Sequence, residues 1–394
     1  MNYNIDKLFT YPFEKLKVLL SKIKLNDKTI INLSIGEPKH KIPKCVEYSI
    51  NKNISKISLY PSTKGYKNLR KSISKWISNR YFIKNIEFEK QILPVSGSRE
   101  AIFSFIQAFS NKKKYIIIPN PFYQIYEGAS FLSDSIPYYI EYKKNGDFNF
   151  QWDRIPKNIL KNTSIIFICS PGNPNGNIIH EKEWKFLFDL SNKYNFIIAS
   201  DECYSEIYFN EKTPPKSAIL YSINLNIKNF RNLVVFNSLS KRSNIPGIRS
   251  GFIFGDEKIL SKFLIYRTYH GCAMNPMIQL ASIYAWKDEN HVLNNRILYR
   301  KKFNIFLKIL NNHMKISKPE ATFFLWINTN INDTKYSKYL YKKTGIKILP
   351  GSFLSRNLYG VNKGNNKIRL ALIISISDCI KSAKFILNFQ IKKL

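Results

Sequence analysis

Short, uninterrupted runs of β-branched and aromatic residues, separated by longer amphipathic stretches, set the narrowest limit on what this chain can fold into. Tyr115-Ile116-Ile117-Ile118-Pro119, Ser164-Ile165-Ile166-Phe167-Ile168-Cys169 and Phe196-Ile197-Ile198-Ala199 show no alternation of apolar and polar residues. Leu233-Val234-Val235-Phe236 and Phe252-Ile253-Phe254 extend the series. A strand that is apolar on both faces must be covered on both, which is the condition of a mostly parallel sheet between layers of helices. Trp184-Lys185-Phe186-Leu187-Phe188-Asp189-Leu190 reads as one such helix, apolar on one side only. One α/β domain is therefore expected over residues 45–275. Beyond it the pattern changes. Ala281 to Leu310 reads as helix, Phe323-Phe324-Leu325-Trp326-Ile327 and Lys367-Ile368-Arg369-Leu370-Ala371-Leu372 as strands, and a last helix begins near Ser377. Residues 276–394, joined by residues 1–44, are expected to form a smaller α+β domain.

Composition narrows the class further. In 394 residues, 44% are hydrophobic and 14% aromatic, enough for two cores. No apolar run has the length of a membrane span, and Met1 to Lys7 lack the apolar centre of a secretory signal. A soluble, cytoplasmic protein without membrane contact is expected. Cys45, Cys169, Cys203, Cys272 and Cys379 are scattered and never form Cys-x-x-Cys, and the five histidines are not at metal-ligand spacing. Neither a disulfide framework nor a metal site follows. The formal charge of +35 has two readings. One is a nucleic-acid-binding protein, because clustered lysine and arginine attract phosphates. The other is a solvated surface, and it is preferred: the basic residues are spread along the chain, and their densest short run is Lys112-Lys113-Lys114. No nucleic-acid partner is expected.

Open parallel sheets bind ligands at the carboxyl ends of their strands, so chemistry is sought there. Gln91-Ile92-Leu93-Pro94-Val95 leads into Ser96-Gly97-Ser98-Arg99-Glu100 and then a helical pattern. A Gly-Ser turn opening a helix presents free N–H groups to a phosphate, although many such turns are only conformational. The Tyr115 run leads to Tyr123, an aromatic ring that suits either the core or a cofactor platform. The Ile165 run leads to Ser170-Pro171-Gly172-Asn173-Pro174-Asn175-Gly176, a turn by composition and a candidate amide donor through Asn173. The Phe196 run ends in Asp201-Glu202-Cys203-Tyr204. A carboxylate at a buried strand end needs a partner, and a protonated ring nitrogen is one. The Leu233 run ends in Ser238-Leu239-Ser240-Lys241, with Arg249 eight residues later. A lysine at a buried strand end is a candidate Schiff-base former, because burial lowers the pKa of an amine. Each group has an ordinary structural explanation; a run of successive strand ends that together suit one phosphorylated pyridine does not.

With these residues in view, the sequence resembles the fold-type I aminotransferases, which depend on pyridoxal 5'-phosphate (PLP). The likeness runs from Leu33-Ser34-Ile35-Gly36-Glu37-Pro38 to Ile368-Arg369-Leu370-Ala371. It implies a mostly parallel seven-stranded sheet flanked by helices, with a smaller α+β domain. It further implies that Lys241 carries the cofactor as a Schiff base and that Asp201 pairs with the pyridine nitrogen. Asn173 and Tyr204 would hydrogen-bond the ring hydroxyl, and Tyr123 would stack on the ring. The amides near Ser98 and Arg99, with Ser238 and Arg249, would hold the phosphate. Tyr60 matches a tyrosine that reaches the neighbouring subunit's phosphate, which implies a homodimer with shared sites. Gly36 falls in the substrate-binding segment, and Arg369 matches the arginine that clamps the substrate α-carboxylate.

Three stretches are similar to the bacterial N-succinyldiaminopimelate aminotransferases of lysine biosynthesis: Asn120 to Ala129, Tyr266 to Met274, and Leu349 to Arg356. That likeness implies transamination of N-succinyl-L,L-2,6-diaminopimelate with 2-oxoglutarate or glutamate. Both substrates end in a distant carboxylate, and Arg267 or His270 is the nominated cation for it. Cys272 departs from the smaller polar residue expected there. An aspartate, aromatic or broad-specificity aminotransferase, or a β-lyase on the same scaffold, are the other enzymatic readings.

Overall fold

The computed structural model describes residues 3–25, 28–143, 149–311, 314 and 316–391. The apolar runs become strands β1 (Ile92–Val95), β2 (Tyr115–Asn120), β3 (Ile136–Glu141), β4 (Thr163–Cys169), β5 (Ile197–Asp201), β6 (Leu233–Ser238) and β7 (Gly251–Gly255). They form a single seven-stranded sheet in the order β1-β7-β6-β5-β4-β2-β3. Only β7 runs against its neighbours. The register sets Cys169 of β4 beside Asp201 of β5, and Asp201 beside Phe236 of β6. Successive strand ends therefore finish level, at one edge of the sheet.

The lack of alternation in these strands has a direct cause. Neighbouring residues of a strand point to opposite faces, and both faces are packed. Ile117, Ile166, Ile198 and Val235 meet Leu69, Ile73 and Trp76 of helix Lys67–Tyr81 and Trp184 and Leu187 of helix Glu181–Tyr194 in one core. Ile116, Ile118, Ile165, Phe167 and Val234 meet Ile102 and Phe105 of helix Ser98–Phe109 and Phe263 of helix Glu257–His270 in the other. The edge strand β3 has no counterpart among the sequence expectations. Its sequence, Ile136-Pro137-Tyr138-Tyr139-Ile140-Glu141, is only half buried and contains a proline, which an edge position tolerates.

The smaller unit centres on β8 (Phe324–Asn328) paired antiparallel with β9 (Lys367–Ala371), and Leu349–Pro350 pairs with the other side of β9. Ile31–Asn32 lies parallel to Ile346–Lys347, and Leu16 and Leu20 of helix Pro12–Leu20 pack on Tyr341, Leu349 and Leu354. The N-terminal segment thus docks on this unit. The region Ala281 to Leu310 is two helices, Pro276–Lys287 and Asn290–Leu310. Between them Asp288 accepts the Asn290 amide at 2.9 Å, a local alternative to the helical bond. Ala281, Ala285 and Trp286 of the first helix sit in the core against the large sheet. The expected ranges also reach residues 1, 2 and 392–394, which lie outside the described ones. Among the described residues, no helix is long and apolar enough to cross a membrane.

Candidate active site

The level strand ends open onto a cavity of about 410 Å³ lined by Gly36, Ser98, Arg99, Tyr123, Asn173, Asp201, Tyr204, Lys241 and Arg369, among others. Residues up to 335 positions apart in sequence are in hydrogen-bond contact here. Lys241 lies in the short helix Leu239–Arg242 that follows β6, capped by Ser238, whose Oγ accepts from the Ser240 amide at 3.1 Å. The Lys241 ammonium donates to the Gly36 carbonyl at 2.5 Å. Burial above all lowers its pKa to about 8; Arg369 and Arg249 lower it further, against Cys203 and Glu37. An amine in this state is neutral far more often than a surface lysine, and the neutral amine is the nucleophile.

Asp201 occupies the cavity floor, 4% exposed. Its Oδ2 accepts from the Tyr126 hydroxyl at 2.7 Å and its Oδ1 from the Cys203 amide at 3.3 Å. Burial raises its pKa, with the Cys203 and Tyr126 hydrogen bonds opposing the rise. Asp201 is therefore a carboxylate short of a cation, and a protonated ring nitrogen would restore its ionised form. The second charged wall is Arg369 on β9. Its Nη1 donates to Asn173 Oδ1 at 2.9 Å and its Nη2 to the Ser34 carbonyl at 2.8 Å, with the guanidinium 4.3 Å from the Phe324 ring centroid. Burial lowers its pKa to about 10, and its Nε is buried without a partner. No carboxylate neutralises it among the described residues, so the guanidinium suits an acidic ligand.

At the entrance of helix Ser98–Phe109, Gly97 has φ 86° and no side chain caps the helix. The first-turn N–H groups are left to an anion. A Cβ on Gly97 would lie 2.4 Å from Arg249 Nη2, so the glycine lets the guanidinium close against the turn. Arg249 also donates to the Pro246 carbonyl at 2.6 Å. A lysine amine, a buried carboxylate and a glycine cradle backed by arginine together fit PLP: the amine for the aldehyde, Asp201 for the ring nitrogen, and the cradle for the phosphate.

Several expected residues lie elsewhere. Ser238 is buried and does not line the cavity; its hydroxyl donates to the Ser250 carbonyl at 3.1 Å. Tyr60 is fully exposed and outside the cavity. Arg267, nominated for a distant carboxylate, is fully buried. Its Nη1 pairs with Glu100 Oε1 at 2.6 Å and its Nη2 donates to the Cys272 carbonyl at 2.9 Å, so it is a structural cation. His270 is likewise outside the cavity, with Nδ1 3.9 Å from the same Glu100 oxygen. Glu100, His270 and Cys272 do bring one donor atom each within 4.8 Å of one another, a grouping that sequence spacing did not suggest. The Arg267 guanidinium already neutralises that carboxylate and works against a second cation there. Sequence reasoning also missed Tyr126, Ser34 and Tyr11. Tyr126 is one helical turn from Tyr123, and Ser34 contributes only its carbonyl, which no residue type announces.

Known proteins resemble this chain along nearly its whole length. The family described as aminotransferase class I and II matches residues 28–372. An aminotransferase from Neisseria meningitidis Z2491 has 40% sequence identity and a TM-score of 0.95, covering 99% of this chain and 100% of that one. The LL-diaminopimelate aminotransferase of Natranaerobius thermophilus is 26% identical over 97% of both chains. The probable N-succinyldiaminopimelate aminotransferase of Thermus thermophilus shares the fold, with a TM-score of 0.83 at 19% identity over 95% of this chain and 99% of that one.

Proposed function

From the premise that the chain belongs to the class I and II aminotransferases, which depend on PLP, we propose that it transaminates N-succinyl-L,L-2,6-diaminopimelate with 2-oxoglutarate, in lysine biosynthesis in the cytoplasm. The observation that carries transamination is the placing of the Lys241 amine, the Asp201 carboxylate and the Arg369 guanidinium around one cavity.

PLP, when bound, supplies an electron sink that makes the substrate Cα–H acidic. The chain supplies the rest. Arg369 presents a planar fork to the α-carboxylate, and Asn173 and Ser34 fix its plane. Lys241 Nζ, once the incoming amino group has freed it, would take the proton from Cα as general base and, as general acid, give it up to the cofactor carbon and not back to Cα. Its pKa of about 8 suits both roles near neutral pH. Asp201, held by Tyr126 and the Cys203 amide, would pair with the protonated ring nitrogen of the cofactor. Tyr123, Phe324 and Leu354 line the cavity and limit water around the moving proton. Ping-pong kinetics follow, because one site serves both substrates in turn.

The succinylated donor is supported by the cavity's acids. Besides Asp201, only Glu37 lines it among the described residues, and Glu37 is paired with Lys39 at 2.5 Å. Among the described residues lining the cavity, a free distal ammonium, as in LL-diaminopimelate, finds no carboxylate without a partner, whereas a succinyl group needs none. Free LL-diaminopimelate is the second reading, favoured by the name of the Natranaerobius relative. Two copies are proposed to share their sites. Tyr60, Ile54, Ile57 and Leu59 form an exposed, largely apolar stretch suited to a second subunit. Turnover of both diaminopimelate donors, aspartate and phenylalanine, each with 2-oxoglutarate, tests the donor. The succinylated compound should show the highest kcat/KM; a higher value for any of the others ends this assignment.

A further inference from the structure

The arginines around the cavity divide by what already neutralises them. Arg267 is held by Glu100 and Arg356 by Glu127, in both cases by carboxylates of the chain itself. Arg249 is closed against the glycine turn where a phosphate belongs, and Arg369 stands where an α-carboxylate belongs. Arg99 is left over. It lines the cavity, its side chain is exposed, and no carboxylate forms an ion pair with it among the described residues. Its guanidinium lies over the Tyr11 ring, 5.3 Å from the centroid. Arg99 also lies close enough to Tyr123 to oppose the rise that burial imposes on that phenol's pKa, so its charge is felt inside the cofactor's space.

A dicarboxylic substrate bound with PLP brings three anionic groups; two arginines, Arg99 and Arg369, line the cavity, and a third, Arg249, stands at the glycine turn. We propose that the Arg99 side chain, held against Tyr11, binds the second carboxylate of a dicarboxylic substrate, the role for which sequence nominates Arg267 or His270. A guanidinium stacked on an aromatic face keeps its N–H edge free and its plane fixed, so less freedom is lost when it pairs. The ligand class is an amino or 2-oxo acid with a carboxylate beyond its α-carbon: glutamate, 2-oxoglutarate or the succinylated donor. The assignment deepens the transaminase reading and rests on it, but it is independent of which donor is used.

Calorimetric titration of the PLP-loaded enzyme with glutarate and with butyrate tests it without turnover. The two probes differ chiefly in the second carboxylate. In Arg99→Gln the selectivity for glutarate over butyrate should fall roughly 10- to 100-fold, the loss of one charge-assisted pair. Arg99→Lys should recover part of it, and Tyr11→Leu should lose part of it. An unchanged selectivity in Arg99→Gln overturns the proposal. So does a loss of PLP affinity that accompanies equal losses for both probes, because Arg99 would then serve the phosphate. An enzyme that prefers aspartate yet shows the selectivity collapse loses the donor assignment and keeps the Arg99 site.

Discussion

In the proposed reaction Lys241 must be neutral to attack an aldehyde and able to hold a proton once transamination begins, and a surface lysine manages only the second. Burial moves its pKa to about 8, against the pull of Cys203 and Glu37. The sign is fixed by the chemistry. The neutral amine attacks, its population grows as pH rises, and growth stops once pH passes the folded-state pKa. Capture of PLP by the apoprotein should therefore accelerate from about pH 6 and level off near the pKa of 8, where an unperturbed lysine would keep accelerating to about 10.4. Stopped-flow absorbance across that range measures it, and an inflection near the unperturbed value would show that burial does not tune this amine. Asp201 carries the complementary perturbation, a carboxylate raised by burial until a cation arrives. These two opposed shifts explain why one lysine among 62 lysine and arginine residues has a defined chemistry. Composition cannot single it out; position at the end of β6 can.

At the scale of elements, the turn from β1 into helix Ser98–Phe109 makes a demand that only glycine meets twice over. Position 97 needs φ 86°, a region disfavoured for side chains, and needs no Cβ, because Arg249 Nη2 would lie 2.4 Å away. Gly97→Ala should displace the Arg249 guanidinium and tilt the helix entrance. PLP affinity should drop at least about tenfold, and the apoprotein should lose about 1–2 kcal/mol of stability. Fluorescence titration with PLP and denaturant melts give both numbers, and an alanine variant with undiminished affinity would remove Arg249 and the turn from phosphate binding. This element is legible in the sequence because its meaning is local: a strand, a Gly-Ser turn and a helical pattern in succession. The same holds for β2, β4, β5 and β6, whose burial on both faces is written as continuous apolar sequence. What is not legible depends on distant partners. Arg267 looks available for substrate until Glu100, 167 residues away, is seen to neutralise it. Tyr126 looks like one more apolar helix residue, and only the side-by-side pairing of β2, β4 and β5 brings its hydroxyl to Asp201. Strand β3 escapes notice because an edge strand need not be apolar on both faces.

At the scale of the whole molecule, the question is whether one chain completes its own site. Tyr60 is fully exposed and stands outside the cavity of its own chain, although the family resemblance assigns it to a phosphate. The assignment is satisfied if Tyr60 serves a second copy, and the exposed Ile54, Ile57 and Leu59 beside it are the residues a second copy would cover. Hybrids decide between the two arrangements. Lys241→Ala cannot turn over, and Tyr60→Ala weakens whichever site Tyr60 serves. If Tyr60 acts across the interface, a hybrid of the two variants gathers both defects into one site and leaves the other intact. A randomly reassorted equal mixture should then regain about a quarter of wild-type activity under PLP-limiting conditions, since half the dimers are hybrids and each has one good site. If Tyr60 acts within its own chain, every site in the mixture carries a defect and no activity returns. Activity of the mixture after reassortment, set against the unmixed variants at the same PLP concentration, separates these outcomes. A mixture no better than the average of its parents would restrict Tyr60 to its own subunit.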